Sequence, residues 1–191
     1  MAGSCAVFID GGYLDKVAFH DFGNQRLDYG ELARELAAPD EMLRTYYYHC
    51  LPYRSSNPTP EERSRYSARH RFVRALHFLP RFEVRLGRLA LRGRDQKGEP
   101  IFVQKRVDCM VGVDMALLAA KGRITSLALL RGDSDLIPAV EAVKQESVLV
   151  TLWHGSFAKE TKPSRDLFEV CDERRQVSAE LIARVALDKS S

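Results

Sequence analysis

Cysteine is scarce in this sequence, and its placement excludes the common zinc-binding motifs. The four cysteines lie far apart in apolar stretches, and no C-x-x-C pair occurs. A structural zinc site is therefore not expected, and the cysteines are interpreted as buried free thiols. Long apolar runs are absent as well, since none approaches the roughly 20 residues that span a bilayer. The N-terminus also lacks a basic region followed by an apolar stretch, so we expect no signal peptide, no membrane partner and a cytoplasmic location.

Two motifs of phosphate-handling enzymes are missing too. No glycine-rich Walker loop is present, which argues against a nucleotide-hydrolysing enzyme. The first predicted strand ends at Asp10, but Gly11, Gly12 and Tyr13 follow it, so there is no second aspartate two positions on. A phosphatase with an Asp-x-Asp nucleophile pair is therefore a weak alternative.

Lysine is absent from residues 54–94, where arginine is abundant. This segment holds eleven arginines against three glutamates, a net charge of +8, so the rest of the chain must carry −5 to reach the total of +3. A basic block beside an acidic remainder indicates a polyanion-binding face, and the arginine fork binds phosphate with two hydrogen bonds. The alternative is a helix face that contacts only solvent.

Strand and helix patterns alternate along the chain. Continuous apolar runs rather than alternating ones mark buried strands of a parallel sheet that is covered on both faces. The pattern predicts an α/β fold with three layers, α/β/α, in one domain over residues 1–191. Strands are predicted at residues 6–9, 43–51, 82–91, 127–130 and 148–153, and residues 92–100 are predicted as a loop. Helices are predicted at 13–19, 28–38, 60–79, 107–121, 136–145 and 179–187.

Aspartates stand where two of the apolar strands end. Asp10 follows the first strand, and Asp133 and Asp135 follow the strand at 127–130. Ligands of open parallel sheets bind outside the carboxyl ends of the strands, so these carboxylates are expected to share one crevice. Each motif alone also fits a simple structural role, a turn in one case and a helix cap in the other. Their joint position favours a functional site.

Two more aspartates lie on the helix that precedes the second of these strands. Asp108 is near the helix start, where it could reach the strand ends, and Asp114 is six residues further on. Six residues correspond to a rotation of about 240° on a regular helix, so the two side chains cannot point the same way. Asp114 could reach the site only if the helix lies across it.

A carboxylate cluster without basic partners would be strongly self-repelling. Such a cluster is tolerated mainly when divalent cations neutralise it, and hard oxygen ligands suit Mg²⁺ or Mn²⁺. Cations held in this way can polarise a phosphodiester, activate a water molecule and stabilise the leaving oxygen. The sequence therefore predicts a metal-dependent enzyme that cleaves phosphodiester bonds.

Three stretches carry a family resemblance: residues 7–14 (VFIDGGYL), residues 104–108 (QKRVD) with Asp114 six residues on, and residues 130–138 (LRGDSDLIP). Together they resemble the NYN domain, in the LabA-like branch of the PIN-like nuclease superfamily. The resemblance covers roughly residues 5–172, followed by a C-terminal helix at about 178–187. The family commonly has asparagine where this chain has Gly12, and glycine where it has Arg106.

The resemblance implies a PIN-like sheet of about five parallel strands and a ribonuclease that uses Mg²⁺ or Mn²⁺, with an endonuclease as the expected form. Its catalytic and metal-binding positions correspond to Asp10, Asp108, Asp133 and Asp135, and Asp114 is a further acidic metal position. Two polar positions beside the site correspond to Lys105 and Ser134.

The arginine block provides the predicted substrate contacts. Arg65 and Arg69 on the predicted helix, and Arg92 and Arg94 in the predicted loop, are expected to bind the flanking phosphates of a nucleic acid, RNA rather than DNA. The alternative function is a non-catalytic regulator that binds RNA or nucleotides on a degenerate nuclease fold. Whether the protein acts as a monomer or a homodimer is left open.

Overall fold

The central feature of the fold is one seven-stranded sheet. The computed structural model describes residues 3–96, 98 and 100–187, and the strand count refers to these. The strands are β1 Ser4–Asp10, β2 Glu41–Cys50, β3 Phe82–Arg94, β4 Pro100–Lys105, β5 Ser126–Leu130, β6 Leu149–His154 and β7 Glu173–Gln176. Their order across the sheet is β4-β3-β2-β1-β5-β6-β7. All neighbours are parallel except β3 and β4, which confirms the predicted α/β fold with a mostly parallel sheet.

Seven helices in the described part of the chain cover this sheet on both faces. They are α1 Gly11–Phe22, α2 Tyr29–Ala37, α3 Pro60–His77, α4 Val107–Ala120, α5 Ile137–Gln145, α6 Arg165–Val170 and α7 Ala179–Val185. One core lies between the sheet and α1, α2, α3 and α7. The other lies between the sheet and α4, α5 and α6.

Successive residues of β1 alternate between the two cores. Val7 and Ile9 pack in the first core, and Ala6 and Phe8 pack in the second. A strand that is buried on both sides needs apolar side chains at every position, because successive side chains point to opposite faces. This explains why the central strands are continuous apolar runs in the sequence.

The sheet has two strands more than the predicted five. β7 is rich in charge (ERRQ) and lies at one edge, where every second side chain meets solvent, so no apolar run marks it. β4 (PIFVQK) pairs only with β3 and is largely exposed. The short helix α6 was not predicted either. The predicted loop 92–100 is wrong in its first part, because β3 continues to Arg94.

β3 and β4 form a two-stranded ribbon that extends beyond the sheet. The first part of β3, up to Gly87, pairs with β2, whose last residue is Cys50. From Arg88 to Arg94, β3 pairs only with β4. The ribbon therefore projects past the carboxyl end of β2, the edge of the sheet at which β1 and β5 also end.

The N-termini of two helices follow the sequence-based predictions. The Thr59 side chain accepts a hydrogen bond from the Glu62 N–H, and the Glu62 side chain accepts one from the Thr59 N–H, so α3 begins with a capping box. α2 begins after Asp28, which caps it through the Glu31 N–H. α1 is longer than predicted and begins directly after Asp10.

Some predictions extend past what the structure describes. The predicted domain span 1–191 includes residues 1, 2 and 188–191, and the predicted loop 92–100 includes residues 97 and 99, all of which lie outside the described residues. Among the helices described, none combines the length and the apolar character needed to cross a membrane.

Candidate active site

The register of β1 and β5 brings an aspartate and an arginine together at the end of the sheet. Ile9 pairs with Leu130, so the next residues along, Asp10 and Arg131, stand side by side. Ile9 and Leu130 both face the first core, and their successors therefore face α4 on the opposite side. Asp108 comes from the first turn of α4, the helix that packs on this face of the sheet. Arg131 is thus enclosed between two strand ends and a helix start.

Arg131 contacts three of the predicted site carboxylates. Its Nη2 donates to Asp108 Oδ1 at 2.6 Å and to Asp133 Oδ2 at 2.9 Å, and its Nε donates to Asp133 Oδ1 at 2.7 Å. Its Nη1 lies 3.5 Å from Asp10 Oδ2. The residue is 2% exposed. We call Arg131 with Asp10, Asp108 and Asp133 the carboxylate cluster.

The expectation that these carboxylates lack a basic partner is therefore wrong. Arg131 follows an apolar run immediately, as Asp10 does, but the sequence alone does not show that β1 and β5 are neighbours. Burial disfavours the charged guanidinium, yet the hydrogen bond and charge of Asp133 and the charge of Asp10 outweigh it and raise the pKa of Arg131 above its usual range. Arg131 thus remains charged at every physiological pH.

Asp10 combines a structural role with a position in the cluster. Its Oδ1 accepts hydrogen bonds from the Gly12 and Tyr13 N–H groups and so caps α1, while Oδ2 faces Arg131. Burial raises the pKa of Asp10, and the Arg131 charge and the capping bonds offset only part of that rise. Burial therefore makes the ionised form of the Asp10 carboxyl less favourable than it would be in water.

A cavity of about 420 Å³ opens beside Asp10 and Asp133. It is lined by Asp10, Gly12, Tyr13, Lys16, Gln104, Gly132, Asp133, Glu160 and Lys162. Both lysines are exposed, so the cavity has an acidic wall and a partly basic rim. This combination suits a negatively charged ligand whose charge contacts the lysines while its reacting atoms lie beside the carboxylates.

Two glycines shape this cavity. A Cβ on Gly132 would lie 2.4 Å from Cε2 of Tyr13, so the Tyr13 ring leaves no room for a side chain there. A Cβ on Gly12 would meet Asp10 Oδ1 at 3.3 Å and Gln104 Nε2 at 3.5 Å, which is crowded but not blocked. Glycine in place of the family's usual asparagine therefore leaves space open next to Asp10.

Lys16, Gln104 and Lys162 were missed by sequence reasoning. Lys16 lies on α1 one turn after Gly12, and a helix that begins at the site keeps its first turns nearby. Lys162 lies in the loop after β6, the strand next to β5. Once the strand order is known, that loop is expected at the same edge. Gln104 belongs to the motif at residues 104–108, in which the predicted polar position is its neighbour Lys105.

The remaining predicted residues of the Gly-Asp-Ser-Asp motif lie beside the cluster. The Asp135 N–H donates to Asp133 Oδ1 at 3.4 Å, and the Asp135 side chain is exposed. Ser134 is half-buried and its carbonyl accepts from the Ile137 N–H as α5 begins. Neither residue lines the cavity.

Asp114 lies in a separate arrangement on α4. Tyr48 donates to Asp114 Oδ2 at 2.8 Å, and Arg85 Nε lies 3.3 Å from the same oxygen. Arg85 and Arg44 also flank Glu83, at 3.5 and 3.6 Å. We call Arg44, Glu83, Arg85 and Asp114 the balanced network. The helical rotation between Asp108 and Asp114 accounts for their separation.

The two predicted arginines of α3 differ in their surroundings. Arg69 Nη2 donates to Asp15 Oδ2 at 2.6 Å, and His49 Nε2 lies 3.1 Å from the same oxygen. Burial alone would raise the pKa of Asp15, but the hydrogen bonds of His49 and Arg69 outweigh it and lower that pKa. This Asp15 junction ties α3 to α1. Arg65, one turn earlier, is exposed.

Alternation along β4 decides which residue meets the cavity. Gln104 lines the cavity, whereas Lys105 points to the opposite face of the ribbon. There Lys105 lines a groove of about 290 Å³ together with Ala90, Leu91, Arg92 and Val103. Arg88 is the register partner of Lys105. Arg94 donates to the Gly98 carbonyl at 2.7 Å within the ribbon.

The donor set of the cavity fits one hard divalent cation. Among residues 3–96, 98 and 100–187, no group of three or more histidine, cysteine, aspartate or glutamate side chains is arranged as a metal site. Three carboxylates, however, line the cavity, and two of them, those of Asp10 and Asp133, belong to the carboxylate cluster. Mg²⁺ commonly binds through one or two carboxylates, with water and substrate phosphates as its other ligands.

The family of the chain follows from a comparison with protein-family models. The model described as the NYN domain matches residues 4–178. The chain belongs to the NYN domain family. NYN domains are part of the PIN-like nuclease superfamily, so the family match and the carboxylate cluster both point to nucleic-acid chemistry.

Among the solved structures that match, one is similar over almost the whole length. It is the crystal structure of a protein of unknown function, VPA0982, from Vibrio parahaemolyticus RIMD 2210633, with a TM-score of 0.57, 19% sequence identity and 97% of each chain covered. At this identity the likeness concerns the fold alone. No curated protein matches the chain.

Proposed function

We propose that this NYN domain is a ribonuclease of the LabA-like branch that depends on Mg²⁺ or Mn²⁺ and cleaves phosphodiester bonds at the carboxylate cluster. The observation that carries the proposal is the position of Asp10 and Asp133, which line a cavity with a basic rim at the carboxyl ends of β1 and β5. This is the edge at which open parallel sheets bind their ligands.

The cation would be held by Asp10 and Asp133, with Asp108 and Asp135 next to them. When bound, it supplies a Lewis acid for the phosphoryl oxygens and lowers the pKa of a water molecule. The carboxylates alone would repel a phosphodiester. Lys16 and Lys162 at the cavity rim offset that repulsion and hold the phosphate against the acidic wall.

The ribbon extends the binding surface beyond the cavity. Arg88 and Lys105 are direct partners across the two strands, and like charges in such a position destabilise a ribbon. No ion pair compensates either of them among the residues described here. A phosphate backbone would neutralise the pair, and Arg92 lines the same groove. Arg65 near the start of α3 is proposed as a further contact.

The positions of the other predicted substrate residues reduce the number of proposed RNA contacts. Arg69 is engaged by Asp15, and Arg94 by the carbonyl of Gly98, so we give both a structural role. Ser134 lies beside the cluster without lining the cavity. The proposed contacts to RNA are therefore Lys16 and Lys162 at the cavity, Arg88, Arg92 and Lys105 on the ribbon, and Arg65 on α3.

A second candidate function is the non-catalytic binding of RNA or nucleotides. The observation that favours it is the engagement of both Asp133 oxygens by Arg131. If these contacts persist in the presence of cations, each Asp133 oxygen offers a metal only its second lone pair, and a site weakened in this way could stay without a metal. The protein would then bind nucleic acid through its lysines and its ribbon without cleaving it.

Cleavage of end-labelled RNA distinguishes the two candidates. The purified chain is incubated with a single-stranded RNA of mixed sequence and the matching DNA, in Mg²⁺, Mn²⁺ or EDTA. The ribonuclease proposal predicts divalent-dependent fragments from RNA and few from DNA. Tight RNA binding without fragments in either metal would favour the regulator, and an absence of binding would contradict both.

A further inference from the structure

Arg131 occupies the position that a cation would take among the three carboxylates. It donates three hydrogen bonds to Asp108 and Asp133, and its Nη1 lies 3.5 Å from Asp10 Oδ2. Nη1 is fully buried and has no hydrogen-bond partner. A buried, fully charged guanidinium with one unpartnered nitrogen requires a strongly negative surrounding, because removal of the charge from water is costly.

The charge of the cluster suits one divalent cation and not two. Three carboxylates and one guanidinium leave a net charge of −2. One Mg²⁺ would cancel that charge, whereas two would leave an excess of +2 beside the guanidinium. Two-metal phosphodiesterases place their ions about 3.5–4 Å apart, in shared carboxylate bridges. Here the bridging position between Asp108 and Asp133 belongs to the arginine.

We propose that Arg131 takes the place of a second divalent cation, so that the site binds a single metal ion. This inference rests on the proposed function. Unlike a bound ion, Arg131 cannot be removed by a chelator, and it keeps the three carboxylates together in the absence of metal. Arg131 acts through the carboxylates, since its buried guanidinium does not reach the cavity surface. It is therefore a positioning residue.

The number of Mn²⁺ ions bound at saturation tests this proposal directly. Mn²⁺ is titrated into the complete, metal-free protein, and free Mn²⁺ is followed by electron paramagnetic resonance. The proposal predicts one ion per chain. Two ions per chain would overturn it and leave the proposed function intact. No bound Mn²⁺ would overturn the proposed function as well.

The variant Arg131→Gln provides a second, independent readout. Loss of the positive charge leaves a cluster of −3, so Mn²⁺ should bind about tenfold or more tightly and the count should rise to two. The thermal stability of this variant should depend strongly on Mn²⁺, while that of the wild type should change much less. An unchanged count and affinity in Arg131→Gln would overturn the proposal.

Two further variants control for folding and for charge. Arg85→Gln removes an arginine that also contacts a carboxylate, Asp114, away from the cavity, so its Mn²⁺ count and affinity should equal those of the wild type. Arg131→Lys keeps the charge and should bind one ion. If Arg131→Gln folds only with Mn²⁺, that dependence is the expected result. A count of two in Arg131→Lys would contradict the proposal, because the positive charge is retained.

Discussion

Arg131 and Arg85 each contact an aspartate of α4, and the two arrangements differ in charge balance. Around Arg131, three carboxylates meet one arginine. Around Arg85, the two acids Asp114 and Glu83 meet two arginines, and the network is neutral. Both lie on the same face of the sheet, but the carboxylate cluster borders the cavity of about 420 Å³, which no residue of the balanced network lines.

The difference shows that the net charge of a group of side chains indicates a ligand site better than the number of aspartates in it. A balanced network stabilises the fold and needs no bound ligand to neutralise its charge. A cluster with a surplus of −2 next to a cavity is costly unless something positive binds there. The same reasoning separates the Asp15 junction, which is compensated, from the Arg88–Lys105 pair, which carries a surplus of +2.

The largest expected effect is the loss of RNA cleavage when Asp10 of the carboxylate cluster is replaced. Asp10→Asn should lower RNA cleavage by about a hundredfold or more, because it removes a charge worth several kcal/mol to the transition state. Its folding should be retained, since the asparagine oxygen can still cap α1 through Gly12 and Tyr13. Cleavage assays and thermal unfolding are run on the same preparations.

Asp114→Asn is the matched control for that variant. We expect near-normal cleavage and a loss of about 1 kcal/mol in the free energy of unfolding, reduced by the solvent exposure of Arg85. If Asp114→Asn abolished cleavage as Asp10→Asn does, the division into a functional cluster and a balanced network would not hold.

The ribbon offers the next effect in size. Replacement of Arg88 and Lys105 with alanine should weaken RNA binding for all sequences and reduce the slope of log affinity against log salt by up to about 1.4, since each phosphate contact on a single strand contributes roughly 0.7. The matched control is Lys121→Ala with Arg123→Ala, two exposed cations that precede β5 at the opposite edge of the sheet. Equal slopes for the two double variants would remove the ribbon from the binding surface.

The compensated Asp15 junction predicts a dependence of stability on pH. The lowered pKa of Asp15 means that its ionised form stabilises the native state above the ordinary value of 3.8, and that this contribution is lost as the pH falls through the lowered value. Asp15→Asn should therefore be less stable than the wild type near pH 7, by no more than about 1 kcal/mol because part of the side chain is exposed. In denaturant unfolding, the two proteins should converge as the pH falls from 3.8 through the lowered pKa of Asp15; a constant difference would contradict this.

The last expected effect, similar in size to that of Asp15→Asn, concerns the backbone at the start of α4. Arg106 has φ = 77°, in the left-handed region that favours glycine, which explains why the family commonly has glycine there. Arg106→Gly should raise the free energy of unfolding by about 1 kcal/mol, measured in urea. Unchanged cleavage would show that the strain is not needed to place Asp108, and a lower stability would mean that the arginine side chain makes a contribution larger than the strain.

Much of the fold could be predicted from the sequence because its central strands are buried on both sides. The apolar runs that became β1, β5 and β6 require such burial, and Thr59 with Glu62 marks the start of α3. The edge strands β4 and β7 escaped prediction because half or more of their side chains meet solvent and no apolar run identifies them.

The candidate site was less accessible to sequence reasoning. Strand ends placed Asp10 and Asp133 at one edge of the sheet, but the role of Arg131 depends on β1 lying next to β5. That adjacency is a property of the topology and not of any local pattern. The choice between Gln104 and Lys105 depends on a single step of strand alternation, which only the register of β3 and β4 determines.

The central claim is that the surplus charge of the carboxylate cluster binds a divalent cation. The most direct test is a crystal of the complete chain soaked in Mn²⁺ and measured at a wavelength where manganese scatters anomalously. The account predicts one peak within about 2.6 Å of carboxylate oxygens of Asp10 and Asp133, beside an intact Arg131. A crystal at saturating Mn²⁺ with no peak at these residues, or with a peak only at Asp114, would contradict it.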